Sequence, residues 1–192
     1  MKVLLFIPRG FVTTEFGAFV DVLGWAKDEF NCDIQVITCG FHKEVTGTFN
    51  IPVSVEKTID EISVDDFDAM AIPGGFEEYG FYEESYNDIF LEFIREFNSK
   101  NKIIATICTG ALLLGKSGIL KNRNATTYKS ISGHRQNQLK SFGINIVDEP
   151  IVVDGNIITS NGPKTALETA FHLLEMLTSK DLADKVKLSM GF

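Results

Sequence analysis

The stretch 102-KIIATICTGALLLGKSG-118 joins two apolar runs of different period. Ile103 to Ile107 is a short continuous apolar run, the pattern of a strand covered on both faces. Ala111 onwards reads as a helix. Cys108, Thr109 and Gly110 form the corner between them. A side chain on a tight strand-to-helix turn is pushed into the open, which is the geometry of a nucleophile elbow. Gly110 lets the backbone turn without a side-chain clash. The first helical turn offers unpaired N–H groups and partial positive charge. Both favour a thiolate, so the pattern predicts a Cys108 thiol lowered from its usual value of about 8.5.

The rest of the chain places this corner in a sheet. KVLLFI, DIQVIT and DAMAIP read as further strands. Phe16, Phe19, Val20, Leu23 and Ala26 fall at helical spacing, so Glu15 sits at a helix start. Residues 44–62 read as an extended arm. Residues 84–98 read as a helix with Ile89, Phe93, Ile94 and Phe97 on one side. A further helix is expected over GHRQNQLKSFG. Asp154-Gly155 marks a hairpin turn, and Gly162-Pro163 opens the helix that buries Leu167, Ala170, Phe171, Leu174 and Leu177. Strands alternating with helices predict an α/β fold, a mainly parallel sheet with helices on both faces. No linker or composition shift divides residues 1–192, so one domain is expected.

Bulk composition bounds the function. The formal net charge is −8, which disfavours nucleic acid and anionic membranes as partners. The basic stretch 121-KNRNATTYK-129 is too broken to reverse that sign. No apolar run reaches the ~20 residues of a membrane span, and MKVLLFIPRG lacks the apolar core of a signal peptide. A cytoplasmic protein is expected. Cys32, Cys39 and Cys108 show no CxxC spacing, and only three His are present. Neither a disulfide framework, a metal nor another cofactor is indicated.

Two other features meet the elbow at the same predicted face. Pro73-Gly74-Gly75 ends the preceding strand, where a Gly-Gly backbone can aim an N–H at a developing oxyanion beside the Thr109 N–H. Glu15 begins the helix after the first strand. Cys39 also ends a strand and precedes a Gly, but no helical pattern follows, so it reads as a core residue.

AIPGG, IIATICTGALLLGKSGILKNRNATT and VVDGNIITSNGPKTALETAFHLLEML together resemble the ThiJ/PfpI superfamily, over essentially the whole chain. The resemblance implies a flavodoxin-like three-layer sandwich, a homodimer and a reactive Cys108. It implies that Glu15 hydrogen-bonds the sulfur, as in the DJ-one branch, and that Gly75 and Thr109 supply oxyanion-type donors. Gly74, Tyr128 and His134 are candidates for the substrate surroundings. The chain departs from the family twice. Protease-like members carry His where Thr109 stands, and many members carry His where Tyr128 stands; His134 is the candidate substitute. Cys-Thr also occurs in the isonitrile hydratase branch, which has Asp in place of Glu15. The reading is a cysteine-dependent hydrolase or lyase acting on a small electrophile such as a 2-oxoaldehyde. A redox or stress sensor, and an amidase, protease or isonitrile-hydratase-like enzyme, stay open.

Overall fold

In KVLLFI, successive side chains point to opposite faces of the sheet, and none is left to solvent after Lys2. Val3, Leu5 and Ile7 enter one hydrophobic cluster, Leu4 and Phe6 the other. That is why the run is continuous rather than alternating. A computed structural model describes all 192 residues, Met1–Phe192. The chain runs β1 (Lys2–Phe6), α1 (Thr13–Phe30), β2 (Gln35–Gly40), β3 (Glu44–Thr46), β4 (Pro52–Ser54), β5 (Lys57–Thr58) and β6 (Ala69–Ile72). It continues α2 (Phe81–Ser85), α3 (Asp88–Ser99), β7 (Ile103–Ile107), α4 (Gly110–Ser117), β8 (Asn124–Ala125), α5 (His134–Ser141) and β9 (Asn145–Ile146). It ends β10 (Ile151–Asp154), β11 (Ile157–Ser160), α6 (Ala166–Leu177) and α7 (Lys180–Ser189).

The central sheet has the order β10-β11-β7-β6-β1-β2-β5. All its pairings are parallel except β10 with β11, the hairpin that turns through Gly155-Asn156, directly after Asp154. Helices α1, α6 and α7 cover one face, and α3, α4 and α5 the other, giving three layers. The extended arm forms the small antiparallel pair β3–β4. No helix is long and apolar enough to cross a membrane. The carboxyl ends of β1, β6 and β7 lie side by side, which is where open α/β sheets bind ligands.

The helix expected over residues 84–98 is corrected in two respects. It breaks at Tyr86-Asn87, where the Asn87 Oδ1 accepts the Ile89 N–H at 2.9 Å and caps α3. That cap sets the helical phase. Phe90, Leu91, Ile94 and Phe97 face the core, and Ile89 is 63% exposed. The helix expected from Gly162-Pro163 opens with one 3-10 turn, Pro163–Thr165, before α6 begins.

Candidate active site

Cys108 has φ 57°, a left-handed conformation that costs a residue with a Cβ about 1–3 kcal/mol. Both its backbone groups are held. Its N–H donates to the Ser160 carbonyl at 2.8 Å, and its carbonyl accepts the Thr127 hydroxyl at 2.8 Å. The strain is therefore fixed by the neighbouring strand β11 and the segment after β8. A Cβ on Gly110 would stand 3.1 Å from the Ile72 carbonyl, so the elbow packs closely against the end of β6. The Cys108 side chain opens on a cavity, yet the residue is only 6% exposed.

The β1–α1 and β6–α2 loops are stitched together across the ends of their strands. Phe11 bridges to Gly75, and the Val12 N–H donates to the Gly74 carbonyl at 2.8 Å. This carries the first turn of α1 under Gly74, and the Gly74 N–H donates to Glu15 Oε2 at 2.6 Å. A Cβ on Gly74 would lie 2.8 Å from Cys108 Cβ, 2.8 Å from the Thr109 nitrogen and 2.9 Å from Glu15 Oε2. Only glycine lets those three groups converge. A Cβ on Gly75 would meet the Phe81 ring at 2.0 Å.

Glu15 is 0% exposed, and its Oε1 has no hydrogen-bond partner. Burial raises its carboxyl to about 7, against the opposing pull of the Gly74 N–H and a hydrogen bond with the Cys108 thiol. The Cys108 thiol is also raised, first by burial and then by the Glu15 charge, while the Thr109 N–H pulls it down. This corrects the expected lowering. The helix-start N–H does reach the sulfur, but burial and a neighbouring carboxylate outweigh it. The Glu15 carboxylate disfavours the thiolate, whereas the protonated thiol favours the carboxylate, so the two groups titrate as a coupled pair.

The expected oxyanion donors are also altered. The Gly75 N–H donates to Thr109 Oγ1 at 2.8 Å, and the Thr109 hydroxyl donates back to the Gly75 carbonyl at 2.9 Å. Of the two expected donors, only the Thr109 N–H is directed at the sulfur in this arrangement.

The cavity beside Cys108 measures about 310 Å³. Val12, Gly75, Phe76, Thr109, Pro163 and the half-exposed Tyr128 line it. Glu77, Glu78 and Arg135 complete the wall. His134 does not reach it. That residue is the exposed first residue of α5, with its N–H on Ser132 Oγ at 3.4 Å. Arg135, one position and about 100° further round the helix, turns inward instead. Sequence reasoning missed it, although Arg135 lies four residues before the buried anchor Leu139 and so shares its face. The Arg135 guanidinium packs 4.9 Å from the Tyr82 ring centroid, another residue the sequence did not single out. No group of three metal-ligating side chains is gathered in the protein.

Comparison with known proteins identifies the family. Residues 1–176 match the model of the DJ-1/PfpI family. The Schizosaccharomyces pombe protein named glutathione-independent glyoxalase DJ-1 is 33% identical over 199 aligned residues, covering 100% of this chain and 98% of that protein. The Pyrococcus furiosus protein named deglycase PfpI is 34% identical over 130 residues, 67% of this chain and 74% of that protein. The crystal structure of Drosophila melanogaster DJ-1beta superimposes with a TM-score of 0.86 at 26% identity, covering 98% of this chain and 96% of that one. The chain belongs to the DJ-1/PfpI family.

Proposed function

We propose that the protein converts a small 2-oxoaldehyde into a 2-hydroxy acid by covalent catalysis at Cys108. One observation carries this reading: a fully buried carboxyl, raised to about 7, converges with Cys108 at Gly74 and has one oxygen without a partner. A group with that value both accepts and returns a proton near neutral pH. The Cys108 sulfur, losing its proton to Glu15, bonds to the aldehyde carbon, and the Thr109 N–H stabilises the oxyanion. Rotation of the Thr109 hydroxyl frees the Gly75 N–H as a second donor. The oxyanion takes that proton from Glu15, giving the hemithioacetal and returning Glu15 to its carboxylate. Glu15 then takes the C–H proton from that carbon and delivers it to the neighbouring carbon, while the hemithioacetal hydroxyl proton passes to the neighbouring oxygen, leaving the thioester of a 2-hydroxy acid. Water cleaves the sulfur–carbon bond, releases the 2-hydroxy acid and regenerates the thiol.

Peptide hydrolysis is disfavoured, because Thr109 has no useful acidity for protonating a leaving amine and Tyr128 is a phenol. The family resemblance supports a homodimer, which sedimentation tests against the 21.3 kDa monomer. A second reading is favoured by the Glu15 carboxyl, whose Oε1 has no hydrogen-bond partner, next to the thiol. Peroxide would oxidise Cys108 to a sulfinic acid held by Glu15 and the Thr109 N–H. The test of the first reading is turnover of 2-oxoaldehydes, isonitriles, small amides and casein, with Cys108→Ser as blank. Lactate from methylglyoxal supports it; cleavage of casein or amides without lactate overturns it.

A further inference from the structure

Arg135 is the one cationic side chain lining the cavity into which Cys108 opens. Its environment holds it in place. The guanidinium lies over the Tyr82 ring at 4.9 Å, and its Nη1 donates to Gln138 Oε1 at 2.9 Å. Gln138 is fixed in turn through its Nε2, which donates to the Tyr86 hydroxyl at 3.3 Å. The Arg135 side chain is 17% exposed. Its Nη2 donates to Glu77 Oε2 at 2.7 Å, from a glutamate whose own side chain is 64% exposed.

That asymmetry is informative. The cation is preorganised by an aromatic face and a tethered amide, whereas its carboxylate partner is mostly solvated. Glu77 gives up little burial by leaving, and a bound carboxylate can take its place with the same charge-assisted hydrogen bond. Space argues the same way. A three-carbon aldehyde occupies a small part of about 310 Å³, so the cavity that Cys108 and Arg135 both line has room for a longer substrate.

We infer that Arg135 is a specificity-determining residue that binds an anionic end group, a carboxylate, on a 2-oxoaldehyde longer than methylglyoxal. The reactive carbonyl pair lies toward Cys108 and Glu15, and the carboxylate replaces that of Glu77. This rests on the reaction proposed above. The balance is the same as there: the sulfur bonds to the aldehyde carbon, one proton moves to the neighbouring carbon and one to its oxygen, and water releases a hydroxy diacid without any oxidant or reductant.

The test compares 4,5-dioxopentanoate with 2-oxopentanal, a pair of equal chain length differing in the carboxylate. The native protein is expected to show a kcat/KM ratio of about tenfold or more in favour of the dioxopentanoate. Arg135→Gln should bring the ratio toward one, with the change in KM. Glu77→Gln, which removes the competing carboxylate, should raise it. A native ratio near one, or a ratio that Arg135→Gln leaves unchanged, overturns the inference. A binding measurement separates its failure from that of the reaction. Calorimetry on the Cys108→Ser protein should show 2-hydroxyglutarate binding about tenfold tighter than 2-hydroxypentanoate, and Arg135→Gln should remove the difference. If that holds while no 2-oxoaldehyde is turned over, the anion site stands and the proposed reaction falls. If methylglyoxal yields lactate while both compounds bind alike, the reaction stands and the anion site falls.

Discussion

Thr109 and Gly75 exchange two hydrogen bonds, the Gly75 N–H to the Thr109 hydroxyl and that hydroxyl to the Gly75 carbonyl, at 2.8 and 2.9 Å. The side chain after the elbow cysteine thus occupies a backbone donor that an oxyanion would use. Thr109→Val keeps the shape and removes both bonds. It leaves a buried N–H and carbonyl unpaired, so stability should fall by about 1–3 kcal/mol in urea unfolding. Turnover of methylglyoxal should rise, because the Gly75 N–H no longer has to be freed. Lower turnover would mean that the Thr109 hydroxyl itself serves the reaction.

The pH dependence of stability carries a signature of Glu15. Its folded value of about 7 lies above the ordinary 4.5. Between those values the folded state binds more protons than the unfolded state, so its contribution falls as pH rises. The contribution is complete below about pH 4.5 and is lost as pH passes through about 7. The full span is about 3 kcal/mol. Native stability minus that of Glu15→Gln, measured by urea unfolding from pH 4 to 8, should decline by this order. A difference that rises with pH would place a charged, stabilised carboxylate at Glu15.

Thiol reactivity tests the electrostatic coupling. At pH 8, above the value for Glu15, the carboxylate is charged and opposes the Cys108 thiolate. Glu15→Gln should therefore speed alkylation of Cys108 by iodoacetamide, followed by mass spectrometry. Cys39 is fully buried, with its thiol pushed up to about 12, and should stay unlabelled in both proteins. Slower labelling of Cys108 in Glu15→Gln would show that proton removal by the carboxylate outweighs the opposition of its charge in setting the reactivity of the resting thiol.

The glycine pair should tolerate nothing larger. Gly75→Ala would drive a methyl group into the Phe81 ring and to 2.6 Å from the Gly10 carbonyl. The expected loss is about 3 kcal/mol, read as a lowered melting temperature. Gly74→Ala would instead press on Cys108, the Thr109 nitrogen and Glu15 together. It should abolish Cys108 reactivity with a smaller loss of stability. Normal alkylation in a folded Gly74→Ala protein would show that the three groups need not converge there.

Much of the frame was legible because burial leaves a mark on composition. The unbroken KVLLFI and IIATI runs mark strands covered twice, and ICTG marks the corner where a strand feeds a helix. Glu15 was legible as the acidic residue opening an otherwise apolar helix face. The parts that were not legible depend on how loops meet. Nothing local in PGGF or CTG says that Thr109 will bond back to Gly75. The direction of the Cys108 thiol depends on burial by segments far along the chain, so the helix start alone misjudged it. Ile89 was misplaced because Asn87, as a cap, sets the phase of α3. His134 drew attention by its chemistry, whereas the α5 stripe through Arg135 and Leu139 decides which side chain faces the cavity.

The most direct measurement is the rate of lactate formation from methylglyoxal by native, Glu15→Gln and Cys108→Ser proteins, each first shown to be folded. The native protein should form lactate, Cys108→Ser none, and Glu15→Gln should be slower by about a hundredfold or more, the usual loss when a general base is removed. Equal rates in native and Cys108→Ser, or native-like turnover in Glu15→Gln, would contradict the account that a buried carboxyl and a thiol at the elbow work as one pair.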